Sequence, residues 1–359
     1  MSKKVLLKSA LASALVVGAA LAASPTLAQS VMDFYKGKTV TFLVPYPPGG
    51  SYDAYARLVA GHMGKHIPGN PNIIIQNMPG GGGSKGTNYT FRSGAKDGTF
   101  LLWPPDAYAT AQLLRPKRSK YDASKFTSLG SIVGVNPVIL VRAGAAAKTI
   151  DGVRKAEINV ACSGRGSQSF IMPAMMKHFL GFKFKLICGY KGSAPMTLAL
   201  ERGEVDAQSS AWASWRIRFK DRITKGEFTP LIQVGLDRDP ELPSLPLMQD
   251  ATDNAQHKKV LEFVSGGSAI GRSLVAPPGT PADRVAALRT AFDAVVKDAG
   301  LLADAKKRNA LVQPKTGVAV QKIVMNILAS DKDIIKLAQE AVSQKTDKCT
   351  VNCTKKKKK

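Results

Sequence analysis

The stretch NIIIQNMPGGGGSKG, Asn72 to Gly86, decides how the chain is read. Its first half is a short apolar run rich in β-branched residues, the pattern of a buried strand. Its second half sets four glycines, Gly80 to Gly83, and a lysine, Lys85, ahead of a helical pattern. A glycine run after a strand suits a phosphate-binding loop, a flexible linker, or a turn that presents backbone N–H groups to a ligand. The phosphate loop G-x-x-x-x-G-K-[ST] fails on spacing, because Lys85 follows Ser84 and precedes Gly86. A linker does not belong between a strand and a helix inside one compact unit. The third use fits.

Working outward, TVTFLVP (Thr39 to Pro45) reads as an earlier strand, and YPPGGSYD carries it into a helix from Asp53 to about Lys65. Tyr55, Leu58, Val59 and Met63 fall on one face of that helix. A short helix around Thr87 to Arg92 and a strand TFLLWP complete a βαβαβ unit. The run SIVGVNPVILVRA leads into a second unit: strand INVACS, helix GSQSFIMPAMMKHFL with Pro173 inside it, strand FKLICGY, helix APMTLALERG and strand EVDAQ. TPLIQVG, a proline-rich loop, an amphipathic helix from Ala282 with Val285, Leu288, Phe292 and Val296 inward, and helices over Val318 to Ser343 follow. The alternation predicts an α/β fold with mainly parallel sheets. A late strand followed by helices implies that the chain re-enters its first domain, giving two lobes, two hinge crossovers and a cleft.

The N-terminus carries Lys3, Lys4 and Lys8, an uncharged apolar stretch from Ala10 to Ala23, and small residues ending at Ala28. These are the marks of a secretory signal peptide over 1–28, too short in its apolar core to span a bilayer. Export places the four cysteines in an oxidising compartment. Cys162 with Cys188 is the preferred pair, since adjacent parallel strands INVACS and FKLICGY would put both at the same end; Cys349 with Cys353 is the other, and unpaired buried thiols are the alternative. The formal charge of +25 falls to +17 once the three leader lysines and the five of the tail, Lys355 to Lys359, are set aside. Basic residues are scattered and not interleaved with aromatics, and an exported chain is no partner for nucleic acid.

Catalytic patterns are thin. CSGRGSQS holds serines but no G-x-S-x-G elbow, and no histidine is placed for a triad. His62 and His66 have helical i, i+4 spacing without the H-E-x-x-H glutamate, so they read as solvated positions near a helix end and not as metal ligands. Asp53, just inside a helix start, suits capping, dipole compensation or ordering of the glycine loops. No cofactor and no metal is expected. In open sheets ligands bind beyond the carboxyl ends of the strands at helix N-termini, where YPPGGSYD and NMPGGGGSKG stand side by side.

Four segments, VTFLVPYPPGGSYDAYAR, IIIQNMPGGGGSKG, YKGSAPMTLALERGEVDA and SLVAPPGTPADRVAALRTAF, resemble in order the landmarks of the solute-binding receptors of tripartite tricarboxylate transporters, the Bug or tricarboxylate-receptor family. The resemblance covers almost the whole mature chain. It implies a type II periplasmic-binding-protein fold, with lobe 1 over 29–132 and 268–346, lobe 2 over 133–267, and a Lys-rich tail over 347–359. It implies a non-enzymatic, monomeric periplasmic receptor that hands a small organic carboxylate to the membrane subunits of such a transporter. Carried over by motif, Pro48, Gly49, Gly50, Ser51 and Asp53 form one loop of a carboxylate clamp, and Asn77, Pro79, Gly80, Gly81, Gly82 and Gly83 the other. Ser163 to Ser167, Tyr190 to Ser193, and Ser209 and Ser210 close from the second lobe.

The chain departs from the family pattern at Tyr52, Gly82 and Arg165. Arg165 stands in a loop of small residues, where a guanidinium can pair bidentately with a second carboxylate or lie in solvent. A dicarboxylate is therefore the first expectation for the ligand. Trp212 and Trp215, as stacking platforms or as packing residues, leave an aromatic carboxylate second. A periplasmic sensor of the same ligand, or an exported hydrolase, are the rival classes.

Overall fold

The computed structural model describes residues 30–343; the expected leader, the Cys349–Cys353 pair and the lysine tail lie outside the described residues. Eleven strands are formed among them: β1 (Thr39–Val44), β2 (Asn72–Asn77), β3 (Phe100–Leu102), β4 (Thr127–Val133), β5 (Pro137–Arg142), β6 (Ile158–Cys162), β7 (Phe184–Cys188), β8 (Ala207–Ala211), β9 (Phe228–Gln233), β10 (Arg272–Ala276) and β11 (Lys315–Thr316). They make two sheets, ordered β11-β4-β10-β3-β1-β2 and β7-β6-β8-β5-β9. Helices cover the sheets, so this is a two-lobed α/β fold.

Local sequence explains the elements nearest the cleft. In β1 Val40, Phe42, Leu43 and Val44 are all buried, which suits a central strand paired in parallel with β2 and β3. The helix Ser51–Met63 buries Tyr55, Ala56, Leu58, Val59 and Met63 over β1 and β2. Later, the helix Ala282–Val295 buries Val285, Leu288 and Phe292 as the periodicity predicts. Gly130 of β4 leaves the space that the Phe292 ring fills.

Two features differ from the sequence reading. The run SIVGVNPVILVRA is two strands: the chain turns at 134–136 and passes from β4 in one sheet to β5 in the other. Both halves are buried and apolar, so composition gives no sign of the break; Asn136 marks it, donating from Nδ2 to Asp237 O at 2.8 Å. The sheets are also mixed and not mainly parallel. The returning strand β10 inserts antiparallel between β3 and β4, and β5 runs antiparallel to β8 and β9. A strand arriving from the other lobe need not share the direction set by the βαβ crossovers.

β6 and β7 are parallel neighbours with Cys162 opposite Cys188, and the two are joined by a disulfide across a Cα–Cα distance of 4.4 Å. The C-terminal helix Lys332–Ser343 packs against Tyr108–Leu114 beside the first sheet and Gln168–Phe179 beside the second. Gln339 Nε2 donates to Leu113 O at 2.7 Å on one side, and Arg165 Nη1 to Val342 O at 3.0 Å on the other.

His62 and His66 are partly buried and paired with acids, not simply solvated. His62 Nε2 lies 3.0 Å from Asp304 Oδ2, and Asp298 Oδ2 takes His66 Nε2 at 3.0 Å and Lys65 Nζ at 2.7 Å. Asp298 also caps the helix Ala299–Lys307 by accepting from Gly300 and Leu301 N–H. The acids sit more than 230 residues downstream, beyond the reach of local pattern. No metal-ligand cluster is formed among the described residues.

Candidate functional site

A cavity of about 110 Å³ lies between the two sheets, at the carboxyl ends of β1, β3 and β6. Lobe 1 contributes the loop after β1 with Pro48, Gly50, Ser51 and Tyr52, then Asp106 after β3 and Arg272 at the start of β10. Lobe 2 contributes Ser163, Ser167, Gln168 and Ser169, then Gly192 and Ser193, then Ser209 and Ser210 on β8. Tyr46, Pro137 and Met196 add apolar wall. A second cavity, about 240 Å³, lies behind the 134–136 crossover and shares Ser51, Val135 and Ala211 with the first.

Three helices begin at the first cavity: Ser51–Met63, Gln168–Phe179 and Ser193–Glu201. None has a side-chain cap, so no N-cap side chain takes their leading N–H groups. Each helix start carries partial positive charge, and the three approach one space from both lobes. Serine hydroxyls supplement them. Ser163, Ser167 and Ser169 are mutually bonded at 2.8 to 3.0 Å, and Ser209 Oγ and both amide atoms of Gln168 have no hydrogen-bond partner among the described residues.

Asp53 stands behind this wall and ties the loops together. Its Oδ2 accepts from Gly49 N–H at 3.0 Å and Arg57 Nε at 2.9 Å, and its Oδ1 from Asn77 Nδ2 at 3.0 Å. Burial raises its pKa, but the hydrogen bonds from Arg57, Gly49 and Asn77 outweigh that and hold it below the ordinary carboxylate range. Asn77 Nδ2 also donates to Tyr46 O at 2.9 Å.

Of the residues expected from sequence, Pro48, Gly50, Ser51, Ser163, Ser167, Ser193, Ser209 and Ser210 line the cavity. Gly49, Asp53 and Asn77 brace it from behind. Pro79 and Gly80 to Gly83 do not line it. All four glycines have positive φ, and a Cβ on Gly82 would stand 2.7 Å from Ser167 N and 2.8 Å from Gly164 O. The glycine loop is thus the seam where lobe 1 meets the Gly164–Ser167 loop of lobe 2, and glycine is needed for both φ and approach. Lys85 is exposed beyond it. Tyr190 is half-buried against the second lobe's core. Arg165 lies over the Phe170 ring and bonds Val342 O, outside the cavity wall. The tryptophans pack: Trp215 Nε1 donates to Val138 O with its ring stacked on Phe219, and Trp212 Nε1 donates to Glu241.

Sequence reading missed Arg272 and Asp106, the charged pair in the cavity wall. Arg272 Nη1 lies 3.3 Å from Asp106 Oδ2, Nε donates to Ser51 Oγ at 3.1 Å, and the guanidinium covers the Tyr52 ring at 3.8 Å. Both side chains are about 95% buried. Burial pushes the Asp106 carboxyl upward against the pull of Arg272. The signal was present: an arginine heading the apolar strand RSLVA has no business there without a buried partner.

A cavity enclosed by two lobes and fringed with uncapped helix starts and hydroxyls can hold a small anion between the lobes. The comparisons agree. The model described as "Tripartite tricarboxylate transporter family receptor" matches residues 55–343, and the chain belongs to that receptor family. It is 28% identical to protein BugT of Bordetella pertussis over 242 residues, 66% of this chain and 72% of BugT. Its fold is like that of periplasmic binding protein BugD, at a TM-score of 0.68 and 24% identity over 86% of this chain and 98% of BugD. It is also like MatC from Rhodopseudomonas palustris with bound malate, at 0.66 and 23% over 83% and 99%. No helix among the described residues is long and apolar enough to cross a membrane.

Proposed function

We propose that this receptor captures a small organic carboxylate in the periplasm and delivers it to the membrane subunits of a tripartite tricarboxylate-type transporter. The observation that carries this reading is the convergence of three uncapped helix N-termini on one cavity. Such a place favours an anion without a charged side chain. Gly50 and Ser51 from one lobe, with Ser167, Gln168 and Ser193 from the other, are the residues we assign to the first carboxylate. Ligand bound between the lobes favours the arrangement in which they meet, because only there does it contact both. The expectation of a dicarboxylate rested on Arg165, which is engaged elsewhere, so the far end of the ligand has to be read from other residues.

Thermal-shift measurement of the mature protein against a panel of mono-, di- and aromatic carboxylates tests the reading. A carboxylate that binds the folded state raises the midpoint, by an amount that grows with the logarithm of its concentration over Kd. A panel without a single stabilising carboxylate refutes it. Loss of carboxylate uptake on deletion of the gene, restored by the intact copy, tests delivery.

A further inference from the structure

With the three helix starts assigned to the first carboxylate, the rest of the ligand meets what remains of the wall. Tyr46, Pro47, Val135, Pro137, Met196 and Ala211 make up most of it. Val135 and Pro137 stand at the crossover and the head of β5, Ala211 ends β8 directly opposite Pro137, and Met196 lies in the first turn of the helix Ser193–Glu201. All four are buried. Tyr46 donates its hydroxyl to Gly82 O at 3.1 Å and packs its ring against Tyr52. The remaining polar groups are engaged or enclosed. Ser163 and Ser169 bond one another and Ser167, and Ser209 Oγ is shut off by protein. Arg272, the one cation among the described lining residues, bonds Asp106 Oδ2 and Ser51 Oγ and lies over the Tyr52 ring, so Asp106 cancels its charge. Ser210 is left as a neutral hydroxyl.

We propose, on the footing of the carboxylate-receptor reading above, that the ligand is a monocarboxylate with an apolar body and not a dicarboxylate. Apolar carbon suits a wall of proline, valine, methionine and alanine, and each methylene it removes from water strengthens binding by up to about fourfold. A second carboxylate must leave its hydration shell, and nothing in this wall replaces that shell. The helix starts face the first carboxylate, the guanidinium is already balanced by Asp106, and one serine hydroxyl does not compensate a full charge. It would also stand close to the first carboxylate in a poorly solvated space, where like charges repel strongly. Selection arises from what the wall fails to solvate as much as from what it holds.

The test is titration calorimetry on the full mature chain with pairs of probes that differ only by the second carboxylate: butanoate and succinate, hexanoate and adipate, benzoate and terephthalate. In every pair that binds, the monocarboxylate is expected to be tighter by about tenfold or more, the scale set by one charged group left without a partner. Met196→Gln and, independently, Ala211→Ser put a polar group into the wall and should narrow that ratio, each variant being checked for folding by its thermal midpoint. Met196→Leu keeps the wall apolar at similar volume and should keep the ratio. A dicarboxylate that binds wild type as tightly as its monocarboxylate, or more tightly, overturns the proposal, and so does a ratio that neither polar variant narrows. Binding of none of the probes overturns instead the carboxylate reading on which it rests.

Discussion

Gly82 sits where the two lobes touch, and Gly82→Ala separates a backbone effect from a seam effect. The methyl group meets two obstacles. At φ +71° an alanine is in the left-handed region, at about 1 kcal/mol. Its Cβ would also stand 2.7 Å from Ser167 N, against 3.4 Å for ordinary contact, so the lobes must part there by about 0.7 Å. Overpacking of that kind costs roughly 1–3 kcal/mol. It is paid only when the lobes meet, which lowers the fraction of receptor competent to hold ligand and weakens apparent affinity by about tenfold or more. Gly181→Ala is the control: its φ is +69° and no atom lies within 4 Å of the added Cβ. Both variants should lose similar amounts of thermal stability without ligand, because each bears the same backbone term. Titration calorimetry with the tightest carboxylate of the panel should show near wild-type affinity for Gly181→Ala and the loss for Gly82→Ala. Equal affinities in the two variants would refute the seam argument.

The disulfide Cys162–Cys188 closes a separation of 26 residues, which the chain-entropy relation converts to about 3–4 kcal/mol; a reductant should lower the melting midpoint of wild type and leave Cys162→Ser/Cys188→Ser unmoved. Asp53→Asn should destabilise the fold by about 1–2 kcal/mol at pH 7, the worth of charged hydrogen bonds to Gly49 and Arg57. Because the Asp53 pKa is depressed in the folded state, its contribution is full above the unfolded pKa and is lost as pH falls through the folded one. Urea unfolding should therefore find the variant and wild type converging in acid. Asp298→Ala should lower the melting midpoint more than Asp304→Ala, since Asp298 both caps a helix and binds Lys65 and His66, whereas Asp304 meets His62.

Much of the fold could be read from local pattern because the elements near the cleft are locally consistent. Strands β1 and β2, the helix after Gly50 and the parallel pair carrying Cys162 and Cys188 each follow from periodicity and turn residues within about a dozen positions. Three things were not legible, each for a physical reason. The split of β4 from β5 hides in a run whose two halves are equally buried. The glycine loop was expected to hold ligand, but its use as a seam depends on Gly164, some eighty residues away and in the other lobe. Arg165 and Arg272 exchanged roles: the one in a loop of small residues turned to a distant helix, and the one heading an apolar strand became the cation of the cavity. Sequence assigns a charge to a segment, while the packing of other segments decides which space it faces.

The C-terminal helix Lys332–Ser343 has a mechanical consequence. Two chain crossovers alone would leave the lobes free to swing and to twist about their junction. This helix adds a third attachment, bonded to Leu113 on one side and to Arg165 on the other. Parting the lobes at this point means shearing the helix along Gln168–Phe179 or breaking the Arg165–Val342 bond. Release of that attachment passes through Arg165, an arginine outside the cavity wall.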